Sequence, residues 1–219
     1  MKAKRIVVFG AGGHAKVVVD VLQRMGGHEI VGLLDDSAEL SGTVRRGYRV
    51  LGGREQFTAL QSKGVDAIII ALGDNQHRKA VYEEAKRMGI ALCSAIDPSA
   101  QIGGGVVVGS GSLLVAGTVV NVDAEIGDNV IVNTGATVDH DCRIGAHAHL
   151  SPGVHLGGRV TVGESAHVGI GAVVLPNLVI GKYCVVGAGS VVRENAPDGA
   201  VVAGNPARII KQHKVVREP

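Results

Sequence analysis

Aliphatic residues recur at every sixth position through the second half of the chain. From Ile96 to Val192, seventeen consecutive positions at this spacing carry Ile, Leu or Val, with no insertion. A short strand with one inward aliphatic side chain, followed by a corner that tolerates glycine, accounts for a six-residue period. Three such hexads close one coil, so the pattern predicts a parallel β-helix of nearly six coils over residues 96–210. The residue four places after the aliphatic one is usually small, as at Ala100, Ser112, Ala124, Ala136, Ala148, Ala166, Ala172 and Ser190.

Residues 1–95 have a different rhythm, in which apolar runs alternate with amphipathic stretches. The amphipathic stretches predict one helix that ends at Arg24 and a second over about residues 76–88. Strands that alternate with helices are typical of a small parallel sheet, so we expect a Rossmann-like α/β domain here and a C-terminal tail over residues 211–219. The predicted strands are Ile6–Phe9, Ile30–Leu34, Ala67–Leu72 and, as a fourth, Ala91–Ala95.

Composition supports this division and excludes several classes of function. Aromatic residues make up only 2% of the chain and there are 33 glycines, which suits a thin repetitive interior better than a rounded core. A net charge of +2 gives no basis for binding nucleic acid or an anionic membrane, and no apolar run is long enough for membrane insertion or a signal peptide. Three cysteines without a CxxC pair predict no disulfide framework, and we expect a cytoplasmic protein.

A glycine-rich turn follows the first predicted strand. Gly10, Gly12 and Ala15, with an acidic residue about 20 positions later, satisfy the dinucleotide fingerprint. A domain of about 95 residues is half of a full dinucleotide-binding fold, however, so we favour a nucleotide-sugar site over NAD. The turn and the helix that follows it suit a phosphate in either case, and a purely structural turn is the third alternative.

Five of the nine histidines fall between residues 140 and 167. His140 lies between Asp139 and Asp141, and either carboxylate could orient the imidazole and stabilise its protonated form. A histidine with a reference pKa near 6.5 is suited to general-base catalysis, so His140 is the candidate base; a solvated corner histidine is the alternative. We expect no metal, because Cys142 occupies the small inward position of its hexad and is therefore withdrawn from a site with His147 or His149.

These motifs resemble those of a known group of enzymes. Residues 96–210 are similar to the left-handed β-helix of the hexapeptide acyltransferase superfamily, and the segment 204–208, Gly-Asn-Pro-Ala-Arg, resembles its usual exit from the helix. With the Gly-Gly-His turn at residues 12–14, the whole chain resembles the bacterial nucleotide-sugar N-acetyltransferases of the bacillosamine and perosamine pathways. Sialic acid O-acetyltransferases share this layout.

The resemblance implies direct acetyl transfer, in a ternary complex, from acetyl-CoA to the 4-amino group of a nucleotide-linked 4-amino-4,6-dideoxy sugar. It implies His140 as the base, an adjacent acid that raises its basicity, for which we name Asp141, and a homotrimer with active sites between subunits. Arg208 and Lys211 are candidates for the CoA phosphates. The residues implied at acetyl-CoA are His149, Ile170 and Ala188, and those implied at the nucleotide sugar are Gly12, Gly13, His14, Asp35, Asp36, Gly73, Asp74, Asn75 and Gln76.

Three other functions fit parts of the same pattern. O-acetylation of a sugar hydroxyl, as in sialic acid modification, uses the same His–Asp pair. Acetylation of a free amino acid fits the β-helix, but the enzymes with that activity carry a helical N-terminal domain in place of an α/β one. A non-enzymatic β-helix scaffold or a metal-dependent hydratase is the alternative from a different class.

Overall fold

The computed structural model describes residues 3–60 and 62–213, and the chain divides into two compact units between Pro98 and Ser99. Of the predicted tail, residues 214–219 lie outside the described residues, whereas Lys211 and Gln212 belong to the last strand. No helix in the described part of the chain is long and apolar enough to cross a membrane.

The first unit is built on a three-stranded parallel sheet with the order β2-β1-β5. Its strands are β1 (Lys4–Phe9), β2 (His28–Leu34) and β5 (Ala67–Ile70). All four residues of β5 are buried, and β1 is buried over Ile6–Phe9, as expected for strands covered on both faces. Phe9 packs edge-on against Phe57 at 5.7 Å between ring centroids, in a core shared with Leu34 and Tyr82.

Three helices accompany the sheet: α1 (Gly13–Met25), the short α2 (Phe57–Leu60) and α3 (Asn75–Arg87). Two 3-10 turns span Ala38–Leu40 and Arg54–Gln56. Between β2 and β5 the chain also forms an antiparallel hairpin of β3 (Val44–Arg45) and β4 (Tyr48–Arg49), which the hydrophobic pattern does not predict. The predicted helices therefore form, with ends within two residues of those expected.

The predicted fourth strand over Ala91–Ala95 is wrong in this form. Leu92 makes a single parallel bridge to Ile68, and regular pairing resumes only at β6 (Ala95–Ile96). Because Cys93 and Ser94 separate these two short pairings, the segment contributes one rung beside β5 rather than a strand of the sheet.

The second unit is dominated by the predicted parallel β-helix. Seventeen two-residue strands, from β6 to β22, each end on one of the seventeen hexad aliphatics, and strands 18 residues apart pair in parallel register. The first face contains β7 (Gln101–Ile102), β10 (Val119–Val120), β13 (Thr137–Val138), β16 (His155–Leu156), β19 (Val173–Val174) and β22 (Val191–Val192). The second face contains β8 (Val107–Val108), β11 (Glu125–Ile126), β14 (Arg143–Ile144), β17 (Thr161–Val162) and β20 (Val179–Ile180). The third face contains β6 (Ala95–Ile96), β9 (Leu113–Leu114), β12 (Ile131–Val132), β15 (His149–Leu150), β18 (His167–Val168) and β21 (Val185–Val186).

Inside the prism, the hexad aliphatics alternate with the small residues at each corner. Cys142 and Cys184 occupy two of these small positions and are fully buried, as the hexad register predicts. Burial raises the pKa of the Cys184 thiol to about 11 and also raises that of Cys142. These two thiols are therefore packing residues.

From residue 105 to residue 189, each corner of the prism turns through one residue with positive φ. At the first corner, which joins the first face to the second, this residue is Asp141 in the coil that carries His140, with φ of 58°. At the third corner, which joins the third face to the first, the residue is glycine in five successive coils, Gly117, Gly135, Gly153, Gly171 and Gly189, whereas Ser99 holds the equivalent position in the first coil. A strip with no side chains at this position therefore runs along one edge of the prism.

The chain leaves the helix through β23 (Ala200–Gly204), which pairs in parallel with β21, and β24 (Ala207–Gln212), which returns antiparallel to β23. The peptide bond between Asn205 and Pro206 is cis and lies in the turn between these two strands.

Candidate functional site

The first corner between β13 and β14 carries His140 on the outside of the prism. Its side chain is 42% exposed, and its backbone N–H donates to Oδ1 of Asp139 at 2.8 Å. Its carbonyl accepts a hydrogen bond of 2.9 Å from the backbone N–H of Arg159 in the next coil. The backbone of this histidine is thus fixed on both sides while the imidazole remains accessible.

Asp141, not Asp139, contacts the imidazole ring. Its Oδ2 lies 2.7 Å from Nδ1 of His140, and the left-handed backbone of Asp141 turns this carboxylate toward the preceding residue. With a carboxylate at this distance, Nδ1 is the protonated nitrogen and Nε2 carries the lone pair. The neutral ring in this tautomer can accept a proton at Nε2.

Asp139 has a different set of contacts. Besides the N–H of His140, its Oδ1 accepts a hydrogen bond of 2.9 Å from Nδ2 of Asn121, in the preceding coil. These two bonds lower the pKa of Asp139, the bond from His140 having the larger effect. Asn121 was missed by the sequence reasoning, although it precedes Asp139 by 18 residues, which is one full coil.

The three residues expected at acetyl-CoA lie elsewhere on the prism. His149 is the outward residue of β15 on the third face, whereas Ile170 and Ala188 occupy the third corner in successive coils. Ile170 is 61% exposed, and Nε2 of His149 lies 3.2 Å from Nδ2 of Asn133. Within one chain, the first face separates these positions from His140.

The other three histidines between residues 140 and 167 are held by neighbouring side chains. His147 is only 4% exposed and its Nδ1 lies 2.8 Å from Nδ2 of Asn129, so it is a buried residue of the prism. His155 lies 2.9 Å from the hydroxyl of Thr137 through its Nδ1 atom. His167 packs edge-on against His149, with ring centroids 4.9 Å apart.

In the first unit, the glycine turn lies at the carboxyl end of β1 and leads into α1. Gly12 is the N-cap of this helix, and no side chain caps it. A Cβ built on Gly12 or Gly13 would meet nothing within 4 Å, so the space beside the turn is open. Burial lowers the pKa of His14 to about 4, with a further contribution from the nearby Arg78 guanidinium, so His14 is neutral at physiological pH.

The two predicted acids after β2 are both engaged by the protein itself. Asp35 accepts the backbone N–H of Ala11 at 2.8 Å and that of Ser37 at 3.0 Å, which ties the glycine turn to the end of β2. Asp36 is held by Arg54, whose Nη2 and Nε donate to Oδ2 at 2.6 and 2.8 Å. Partial burial alone would raise the pKa of Asp36, but the bonds from Arg54 outweigh it and the net pKa is lowered.

The segment from Gly73 to Gln76 forms the start of α3. Asp74 is its N-cap and accepts the backbone N–H of His77 at 2.8 Å. Nε2 of His77 lies 3.6 Å from Oδ2 of Asp36, so this segment meets the end of β2. Arg78, which is 1% exposed, donates to Oδ1 of Asn75 at 2.9 Å and to the carbonyl of Leu72 at 3.2 Å.

The substrate residues predicted in the first unit therefore all lie at the carboxyl ends of β1, β2 and β5, where ligands bind in open parallel sheets. Sequence reasoning missed the two arginines that organise this edge, Arg54 and Arg78. Arg54 belongs to no local motif, because its partners Asp36 and Glu84 come from distant segments. Arg78 contacts residues only three to six positions before it, but its burial at the start of α3 gives no signal in the sequence.

A cavity of about 500 Å³ opens beside the glycine turn. Its apolar wall includes Val19, Leu33 and Leu40, while Lys16, Arg45 and Arg46 supply positive charge. The described residues that line it carry no carboxylate, although Asp20 lies 3.9 Å from Arg46. An apolar slot beside cations and an uncapped helix N-terminus suits a flat base linked to a diphosphate.

Other features of the second unit lie apart from His140. A larger, shallow cavity of about 830 Å³ runs along the second face, lined by residues that include Glu125, Arg143 and Thr161, and His140 is not among its lining residues. Arg208 lies 3.6 Å from Glu194 on the exit hairpin, and Lys211 is exposed on β24. In residues 3–60 and 62–213, no cluster of three or more His, Cys, Asp or Glu side chains is placed to hold a metal ion.

Two family models match the two units. The model of the PglD N-terminal domain matches residues 5–85, and that of the bacterial transferase hexapeptide matches residues 123–158 and 159–194. Each model covers one of the two architectures described above.

Several solved structures are similar over almost the whole chain. PerB from Caulobacter crescentus, solved with CoA and GDP-perosamine, is 40% identical with a TM-score of 0.89, and the match covers 94% of this chain and 97% of PerB. Structures of that perosamine N-acetyltransferase with one histidine replaced by asparagine or alanine also contain CoA and GDP-perosamine.

Two further relatives come from other bacteria. The acetyltransferase domain of PglB from Neisseria gonorrhoeae, in complex with acetyl coenzyme A, is 36% identical with a TM-score of 0.88, over 94% of this chain and 99% of that one. WeeI from Acinetobacter baumannii is 31% identical with a TM-score of 0.85, over 94% and 100% of the respective chains. Since full-length relatives share both units at this level of identity, the chain belongs to the hexapeptide-repeat nucleotide-sugar N-acetyltransferases.

Proposed function

We propose that this protein transfers an acetyl group from acetyl-CoA to the 4-amino group of a nucleotide-linked 4-amino-4,6-dideoxy sugar. The observation that carries the proposal is the His140–Asp141 pair, in which Nδ1 lies 2.7 Å from the carboxylate and the imidazole side chain is 42% exposed, so that Nε2 is left as the basic nitrogen. The relatives support the substrate class, because PerB was solved with both CoA and GDP-perosamine.

In the proposed reaction, the neutral amine nitrogen attacks the thioester carbonyl and Nε2 of His140 takes up its proton. An N–C bond forms, the C–S bond breaks, and CoA leaves as a thiolate that takes a proton. Asp141 stabilises the imidazolium that forms in this step. A positioned general base of this kind contributes about 10²- to 10⁴-fold to the rate.

Transfer is direct, without an acyl-enzyme. Burial raises the pKa of Cys93 to about 11, and Cys142 and Cys184 lie inside the prism, so these thiols are not available as nucleophiles. The hydroxyl of Ser151 lies 3.1 Å from Nε2 of His167, a pairing that the sequence did not predict. Ser151 is only 3% exposed, however, which withdraws it from a substrate in solution.

The cavity beside Gly12 and Gly13 is the proposed site for the nucleotide portion. Lys16, Arg45 and Arg46 would contact the diphosphate, together with backbone N–H groups at the start of α1. Asp35 and Asp36 already accept hydrogen bonds from Ala11 and Arg54. We therefore assign them mainly to holding the loops at the carboxyl end of the sheet in place, and not to binding the ligand by themselves.

The proposed acetyl-CoA site includes His149, Ile170 and Ala188. These residues lie on the third face and third corner, whereas His140 is on the first corner, so one prism does not bring them together. A neighbouring prism that places its first corner against this third corner would complete the site. We therefore infer a homotrimer with active sites between subunits, in which Arg208 and Lys211 are candidates for the CoA phosphates.

The reaction belongs to the synthesis of acetylated amino sugars for glycans, and the three free cysteines suit a reducing, cytoplasmic location. The test is release of free CoA thiol from acetyl-CoA with UDP-, GDP- and dTDP-linked 4-amino-4,6-dideoxy sugars, with free and CMP-linked sialic acid as controls. Turnover on an amino sugar supports the proposal. Turnover on sialic acid alone would mean that the acetyl group goes to a hydroxyl oxygen. No turnover on any of the sugars would contradict both N-acetylation and O-acetylation.

A further inference from the structure

One coil after His140, a glycine, Gly158, holds the equivalent position at the first corner. Along this corner, equivalent residues lie 18 apart, and the column includes Gly104, Val122, His140 and Gly158 in successive coils. Gly158 is buried, and its carbonyl accepts the backbone N–H of Asn177 at 2.9 Å.

The imidazole of His140 occupies the space that a side chain at position 158 would fill. A Cβ built on Gly158 would fall 2.6 Å from Nε2, 2.7 Å from Cε1 and 3.3 Å from Cδ2 of that ring. Heavy atoms do not approach this closely in packed proteins, so any side chain at position 158 displaces the ring. The backbone of Gly158 has no positive φ, so conformation alone does not require glycine here.

We propose that Gly158 is a positioning residue, which seats the imidazole of His140 so that Nδ1 meets Asp141 while Nε2 faces the reactants. Its catalytic consequence rests on the proposed function, in which Nε2 is the base. Gly158 acts together with two other contacts of His140. Asp141 fixes the Nδ1 edge of the ring, and Asp139, itself bonded to Asn121, fixes the backbone N–H. Gly158 determines the remaining degree of freedom, the direction in which the ring points along the prism.

Gly104 provides a matched control. It holds the same position at the same corner three coils earlier, and its carbonyl likewise accepts a backbone N–H, from Asp123 at 3.0 Å. A Cβ on Gly104 would meet nothing within 4 Å, and its φ is not positive. Gly104→Ala therefore adds the same methyl group to the same kind of corner without touching the base, and both variants keep the backbone N–H and C=O.

The test compares steady-state kinetics of the full-length wild type, G158A and G104A with acetyl-CoA and the amino-sugar nucleotide. We expect G158A to lower kcat by about 10²-fold, the cost of misplacing a reacting group by about 1 Å, with both KM values close to wild type. G104A should retain wild-type kcat. Unchanged kcat in G158A, or a raised KM with kcat retained, would overturn the assignment, since the second result means that Gly158 only leaves room for substrate.

A structural readout separates this inference from the proposed function. Crystal structures of wild type and G158A should show Nδ1 of His140 withdrawn from Asp141 in the variant. An unmoved ring contradicts the positioning role of Gly158, whether or not the enzyme is active. If the wild type turns over no amino sugar, the proposed function fails, but the ring position in the two crystal structures still tests whether Gly158 positions His140. If G158A does not fold, the double variant H140A/G158A is the test. Folding of this double variant as well as H140A supports the positioning role of Gly158, because the obstructing imidazole is gone. Failure of both G158A and H140A/G158A to fold overturns it.

Discussion

Oδ2 of Asp141 lies 2.7 Å from Nδ1 of His140, whereas Asp139, on the other side of the same histidine, binds its backbone N–H. The two neighbouring carboxylates are therefore not equivalent. One can stabilise the charge that develops on the ring during proton transfer, and the other fixes the chain from which the ring projects.

This difference predicts unequal effects of two matched substitutions. Asp141→Asn removes the charge that stabilises the imidazolium and should lower kcat by about 10²-fold, a typical contribution of an oriented acid–base group. Asp139→Asn keeps an oxygen that can accept the His140 N–H, so it should cost much less. Steady-state kinetics of the two purified variants makes the comparison. A larger loss of kcat in D139N than in D141N would reverse the assignment.

The cationic side chains around the 500 Å³ cavity should affect one substrate and not the other. Replacing Lys16, Arg45 or Arg46 singly with alanine removes a charge-assisted contact to the diphosphate, and we expect KM for the nucleotide sugar to rise by about 10-fold. KM for acetyl-CoA should not change. Arg49→Ala is the control, because Arg49 lies on the same hairpin but is not among the residues that line the cavity. Equal effects of all four variants would show that charge near the hairpin acts nonspecifically.

His14 should make folding sensitive to acid. Its pKa is lowered to about 4 in the folded protein, against 6.5 for an ordinary histidine, so the unfolded chain binds this proton first as pH falls. The neutral form thus contributes stability above pH 6.5 that is lost progressively between 6.5 and 4. Between about pH 7 and about pH 4.5, wild type should lose about 2 kcal/mol more of its free energy of unfolding than His14→Gln. Urea unfolding at both pH values measures this, and equal losses in the two proteins would contradict it.

If active sites are shared between subunits as proposed, two inactive variants should complement each other. His140→Ala removes the base from the first corner, and Ile170→Arg obstructs the third corner, where Ile170 is 61% exposed. In mixed oligomers, some interfaces combine an intact first corner from one chain with an intact third corner from another. We expect partial recovery of activity after subunit exchange, which is verified by co-purification of two different tags. Verified exchange without recovery would mean that each site is built from one chain.

The β-helix could be predicted in detail because its period is local. One inward aliphatic per hexad determines where each two-residue strand ends, and the small alternate positions place Cys142 and Cys184 inside the prism. The same register places His140 outside, at a corner. Asn121 and Gly158 also follow from the 18-residue coil, but only once the geometry shows that residues one coil apart are in contact.

The α/β unit was harder to predict because its decisive contacts come from distant segments. The β3–β4 hairpin has only two residues per strand and turns at Arg46-Gly47, so it gives little hydrophobic signal. Whether Asp36 was free to bind a ligand depended on Arg54, 18 residues away and outside any repeat. The fourth strand failed because a single bridging residue, Leu92, is too short a pairing to extend the sheet.

In the proposed mechanism, His140 is the base for acetyl transfer to a sugar nitrogen. The most direct measurement is turnover of acetyl-CoA with the preferred nucleotide-linked amino sugar by wild type and His140→Asn, with the product identified by NMR. Asparagine has a similar shape near the backbone but no nitrogen that can accept a proton at the Nε2 position. We expect an amide product from wild type and a kcat lower by about 10³-fold in H140N, with the fold retained. Near wild-type turnover in H140N, or an ester product from wild type, would contradict it.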